Sequence, residues 1–120
     1  MAKKILIIED EPDLLKVTAV RLETSGYDTL VAETAEAALE LLSKSKPDLI
    51  LLDLLLPKMQ GAELCKRLKA EPDTSHIPII IFTASVILVQ QRAKEMCADD
   101  YMIKPADSVE LLFKIKKFIG

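Results

Sequence analysis

The stretch LILLD, Leu49 to Asp53, sets four apolar residues in a row and closes them with a carboxylate. A run this short and this apolar reads as a strand buried on both faces, as in a parallel sheet covered by helices on each side. Working outward, Lys4 to Ile8 and Ile79 to Phe82 are runs of the same kind, and Thr29 to Val31 and Tyr101 to Ile103 are shorter strand candidates. Longer segments of helical period lie between them. Alternation of this sort belongs to βαβ units feeding a parallel α/β sheet, and five units fit a chain of 120 residues.

The helical segments carry their own punctuation. The first should begin near Pro12, which a first helical turn tolerates, bury Leu15, Ala19 and Leu22, and stop at Gly26. Thr34 is the expected cap of the second, whose Ala38, Leu41 and Leu42 keep the helical period until Pro47 forbids continuation. A third is expected from Gly61 to Lys69 and a fourth from Val86 to Met96. The last shows a capping box, Asp107 with Glu110 three residues on, ahead of the stripe Leu111, Leu112, Ile115, Phe118 and Ile119.

Half of the residues are apolar, enough for one hydrophobic core and short for two, so residues 1–120 are expected to be a single domain. No repeat, low-complexity tract or Gly/Ser-rich linker interrupts it. The net charge of -3 provides no basic field, and direct nucleic-acid binding is not expected. No apolar stretch approaches the roughly 20 residues a bilayer crossing needs, and Met1 leads into a strand-like run without a cleavage signature. A cytoplasmic location with no membrane partner is the expectation. Cys65 and Cys97 stand far apart, without a CxxC partner or a histidine cluster, and read as reduced structural thiols.

In an open parallel sheet the ligand site lies beyond the carboxyl ends of the strands. Here those ends carry Glu9 and Asp10, Asp53, Thr83, and Lys104 followed by Pro105. Three carboxylates drawn together repel one another unless a cation neutralises them, which implies a divalent ion. Magnesium fits best, because it takes oxygen ligands from one or two carboxylates and completes its shell with water and phosphate oxygens. Asp10 and Asp53 are the expected direct ligands, with Glu9 outside them on a metal-bound water. A carboxylate is also a competent nucleophile toward an activated phosphoryl group, the role assigned to Asp53. Lys104 and the Thr83 hydroxyl would then meet the charge on the phosphoryl oxygens. Taken singly, each residue has a plainer reading as a turn acid, a strand-end hydroxyl, a solvated lysine or a helix-entrance pair. It is the convergence of four strand ends that carries the chemistry.

These residues bring the chain close to a known family. KKILIIEDEPDLL, DLLLPKMQG from Asp53 to Gly61, IPIIIFTAS, and ADDYMIKP from Ala98 to Pro105 together resemble the receiver domains of two-component response regulators, and the match covers essentially the whole chain. The resemblance implies a flavodoxin-like fold with a five-stranded parallel sheet of order 2-1-3-4-5. It implies a phosphohistidine donor on a sensor histidine kinase or a histidine phosphotransfer protein, and a downstream protein target or output domain as audience. It further implies a metal held by Asp10, Asp53 and the backbone carbonyl of Leu55, and a cis peptide between Lys104 and Pro105. A switch is implied in which Thr83 moves toward the phosphoryl group and Tyr101 turns into the freed space. The surface of the fourth helix, fifth strand and fifth helix would respond.

The chain departs from the family at Gln60, Cys97 and Ala106, the last expected to loosen packing beside the switch. Leu55 and Ser85 occupy positions expected to set the lifetime of the phosphorylated state; Leu55 cannot orient a hydrolytic water, so slow self-dephosphorylation is expected. Val109 and Phe113 should point away from the last helix's buried stripe, and Val86 to Val89 make the fourth helix apolar all round at its start. A docking or homodimer face there is one reading, and scattered surface apolars are the other. His76, between Pro72 and Pro78, reads as a loop residue, and Lys114, Lys116 and Lys117 as complements to a helix carbonyl end. Rival classes lack their own requirements: a haloacid dehalogenase-type phosphatase needs an acid where Leu55 stands, and a flavin phosphate loop would be repelled by Glu9, Asp10 and Glu11. A degenerate receiver would not keep Asp10, Asp53, Thr83 and Lys104 together.

Overall fold

A computed structural model describes residues 2–96 and 98–120, the side chains of 93–96 excepted. Expectations placed on Met1 and Cys97 therefore lie outside the described residues. The elements alternate as β1 (Lys4–Ile8), α1 (Pro12–Thr24), β2 (Asp28–Ala32), α2 (Ala35–Lys44), β3 (Leu49–Leu52), α3 (Gly61–Ala70), β4 (Ile79–Thr83), α4 (Val86–Met96), β5 (Asp100–Ile103) and α5 (Ser108–Ile119). The strands pair in parallel in the order β2-β1-β3-β4-β5. This is the flavodoxin-like architecture expected from the sequence.

The period of two along each strand divides the core into two layers. Leu6, Ile8, Ile50, Leu52, Ile79 and Ile81 face one side, where they meet α2 and α3 through Ala38, Leu42, Leu64 and Leu68. Ile5, Ile7, Leu49, Leu51, Ile80 and Phe82 face the other, against Leu15 and Leu22 of α1 and Leu111 and Ile115 of α5. Burial on both faces is why these strands have no polar positions to alternate with.

Local chemistry fixes the helix ends. The Thr34 hydroxyl accepts from the Ala37 N–H at 3.0 Å, and the Asp107 carboxylate from the Glu110 N–H at 2.8 Å. Gly26, at φ +96°, takes the left-handed turn that closes α1. Three strands reach further than their composition suggests, β2 to Asp28 and Ala32, β4 to Thr83 and β5 to Asp100, because five-residue β1 pairs along its full length, Thr83 pairs with Ile103 and Asp100 with Ile80. Cys65 is a buried thiol, as expected. Ala106 is buried in the α1/α5 layer, while Tyr101 packs against the opposite one. Among the described residues, no helix is long and apolar enough to cross a membrane.

Candidate functional site

The carboxyl ends of β1, β3, β4 and β5 meet at one rim, and the backbone holds them there. The Asp53 N–H donates to Ile8 O at 3.0 Å, and the Lys104 N–H to Thr83 O at 2.9 Å, so each site residue continues the ladder of its strand. Gly61 then brings the chain back over the site. A Cβ at this position would fall on the Asp53 carbonyl oxygen and stand 2.7 Å from Leu54 Cα, so only glycine permits the approach.

One carboxylate oxygen from each of Glu9, Asp10 and Asp53 lies within 4.8 Å of the others. Glu9 and Asp53 are buried and Asp10 is exposed, a polar entrance to an enclosed pair. The Lys104 ammonium bridges the buried two, donating to Glu9 Oε1 and, at 2.9 Å, to Asp53 Oδ2. The Phe82 ring lies 5.2 Å from the same ammonium and adds an aromatic wall. Asp53 Oδ1 accepts from the Leu55 N–H at 3.1 Å, so the residues after β3 fold back onto the carboxylate they follow.

These contacts drive the two buried acids apart. Burial, with the Asp53 charge behind it, pushes Glu9 up to about 7 against the pull of Lys104. Burial also pushes Asp53 up, but the Leu55 N–H and the Lys104 ammonium outweigh it and hold the carboxyl below the usual aspartate range. The pair titrates as a unit, with Glu9 raised and Asp53 lowered. An ionised, desolvated carboxylate beside a fixed ammonium is suited to attack an electrophile whose oxygens the ammonium can then meet. The all-oxygen donor set of Glu9, Asp10 and Asp53 also fits a hard divalent cation.

Thr83 is fully buried, and its hydroxyl accepts from the Ser85 N–H at 3.3 Å. Tyr101 pairs in register with Ile81, two residues before Thr83, so the two side chains share one face of the sheet. Tyr101 is half-buried against the α2/α3 layer. Lys104–Pro105 is cis. The Leu55 side chain is half exposed, and His76 is an exposed loop residue.

Two features were not singled out in the sequence. Phe82 reads there as one more strand residue. Thr18 breaks the inward stripe of α1 between Leu15 and Leu22, is buried, and lines a small cavity with Glu9, Asp53 and Lys104. A hydroxyl at an apolar-stripe position was the available signal. Lys114 and Lys117 also differ from expectation: besides complementing a helix end, they bind Asp100 of β5 at 3.0 and 3.2 Å.

With this geometry in place, comparison with known proteins gives the class. The model of the response regulator receiver domain matches residues 5–116, and the chain belongs to that family, the signalling receiver domains of two-component systems. It is 42% identical over 117 residues to the phosphate regulon transcriptional regulatory protein PhoB of Pseudomonas aeruginosa, covering 97% of this chain and 51% of that protein. The receiver domain of a signal transduction histidine kinase from Syntrophus aciditrophicus superposes with a TM-score of 0.92 at 38% identity, covering 98% of this chain and 90% of its own. The receiver domain of the sensor histidine kinase PA1611 of Pseudomonas aeruginosa, with a magnesium ion coordinated in its active-site cleft, gives 0.92 at 26% identity, covering 100% and 99%.

The chain spans about half the length of the curated relatives it matches. Several of those relatives are named as transcriptional or DNA-binding regulators. The expectation of no direct nucleic-acid contact has no support from them and is not carried forward.

Proposed function

We propose that this chain is a phosphorylation switch in which Asp53 accepts a phosphoryl group. The observation that carries the reading is the Lys104 ammonium set between buried Glu9 and Asp53, with Asp10 beside them at the sheet's carboxyl rim. The ionised Asp53 oxygen forms the new O–P bond as the P–N bond of a donor phosphohistidine breaks and the imidazole leaves. Lys104 shifts from the Asp53 carboxylate to the phosphoryl oxygens, and the Thr83 hydroxyl donates a further hydrogen bond to them.

Asp10, Asp53 and the Leu55 carbonyl would hold Mg2+, with Glu9 outside them. When bound, the ion neutralises the crowded carboxylates and the transferring oxygens. The acidic cluster and the magnesium in the PA1611 receiver domain support this.

Thr83 reports the event to Tyr101. Their shared sheet face supports the coupling, which biases a two-state element without a new fold. The α4-β5-α5 surface responds. Val86, Ile87, Val109 and Phe113 are exposed there, and a second copy of the chain or a downstream target or output domain would dock on them. The donor is a sensor histidine kinase or a histidine phosphotransfer protein, residues 1–120 act as one receiver unit, and the setting is the cytoplasm. Small phosphodonors should also serve, and the chain would hydrolyse its own acyl phosphate slowly.

Incubation with an acyl phosphate tests the reading. Stoichiometric labelling that requires Mg2+ and is abolished by a chelator is the expected result. Equal labelling with and without the metal would refute the assignment of the acidic cluster.

A further inference from the structure

Lys104 has a four-carbon stem, and its ammonium has to stay within the site while its partner Asp53 changes from carboxylate to acyl phosphate. An ammonium carries three N–H donors. Within the described residues two are assigned, to Glu9 and to Asp53. Behind them, between α1 and the sheet, lies a narrow, partly open cavity of about 10 Å³, bordered by Glu9, Thr18, Asp53, Lys104 and Phe82 together with Ile7, Ile8 and Leu51. That volume is about the least a single water requires, and polar residues stand among the apolar ones that border it.

Thr18 is the residue that this arrangement singles out. It is only 4% exposed, and it sits where the periodicity of Leu15 and Leu22 calls for an apolar side chain. Thr18 borders both this cavity and the outer groove, where α1 meets Pro105 and Ala106. Neither the proposed metal nor the proposed phosphoryl contacts involve it.

We propose that Thr18 is a positioning residue for Lys104, acting through one buried water in this cavity. The water accepts the third ammonium N–H and donates to Thr18 Oγ1. This anchor does not use Asp53, so it persists when Asp53 is phosphorylated and the ammonium turns to the phosphoryl oxygens. Fixing the ammonium beforehand lowers the reorganisation required in the transition state, which raises turnover and leaves donor binding unchanged.

Two measurements test the inference, which rests on the phosphoacceptor reading only in its kinetic arm. In an atomic-resolution crystal structure of the metal-free protein, one ordered water should lie within hydrogen-bond distance of both Thr18 Oγ1 and Lys104 Nζ; a cavity without density overturns the proposal, whatever Asp53 does. In acyl phosphate labelling, Thr18→Val should lower the maximal labelling rate about tenfold, as loss of one charged hydrogen bond would, with the dependence on donor concentration unchanged. Thr18→Ser, which retains the hydroxyl, should stay within about twofold of the parent. A Val variant labelled at the parental rate, or a Ser variant as slow as the Val variant, contradicts the anchor. Failure of the parent itself to label would instead count against Asp53 as acceptor.

Discussion

Gly61 shows how closely the site depends on single residues. Its Cα passes over the Asp53–Leu54 peptide at a separation no side chain tolerates, so Gly61→Ala has to move the turn carrying the nucleophile. We expect a loss of about 3 kcal/mol by chemical denaturation, in the range of overpacked cores, together with slower labelling. Leu55 acts at a different step. Its half-exposed apolar side chain has nothing with which to hold an attacking water, so Leu55→Asn should shorten the phosphoryl lifetime about tenfold in a decay assay, and an unchanged lifetime would count against this explanation. Glu9, Asp10, Asp53, Thr83 and Lys104 were legible in the sequence because each ends or follows a strand, and the fold carries strand ends to one rim. Thr18 and Phe82 were not. Phe82 matters because its ring lies 5.2 Å from the Lys104 ammonium, and Thr18 because it borders the same small cavity as Lys104, proximities between residues far apart in the chain that no local pattern encodes.

At the level of elements, Asp100 ties the edge strand β5 to α5. Burial pushes its carboxyl up, but the Tyr101 N–H and the Lys114 and Lys117 ammonium groups hold it below the usual aspartate range. A group with a depressed folded pKa contributes stability above its unfolded value, and that contribution is lost as pH falls through the folded one. Asp100→Asn should therefore cost about 1 kcal/mol at neutral pH, the scale of partly exposed ion pairs. The difference from the parent should vanish in melts taken well below pH 3.8, Asp100's ordinary value. A cost that persists there would mean that packing, not charge, is responsible. Apolar periodicity located every strand and helix, and Thr34, Asp107 and Gly26 marked their ends. What it missed were the outer residues of β2, β4 and β5, whose membership depends on the length of the neighbouring strand rather than on their own composition. The Asp100 pairs were missed for a similar reason, since charges on a strand and a helix meet only after the chain folds.

Across the whole molecule, Val17 and Val20 of α1, Val31 of β2 and Leu55 are exposed apolar residues away from the side that would respond, and Val86, Ile87, Val109 and Phe113 are exposed on it. Val109 and Phe113 of α5 are 78% and 71% exposed, and Ile87 of α4 is 65% exposed. If this is a phosphorylation-dependent contact between copies, an acyl phosphate mimic should raise the mass seen by light scattering, and Phe113→Glu should abolish the rise. Association that the mimic does not promote would leave scattered surface apolars as the better reading. Everything at this scale depends on where the phosphoryl group goes. The most direct measurement is therefore peptide mapping by mass spectrometry after labelling with an acyl phosphate and Mg2+, on the parent and on Asp53→Ala. The account predicts one phosphoryl group on the peptide bearing Asp53 and none on the variant. Label on another residue, or label that survives Asp53→Ala, would contradict it.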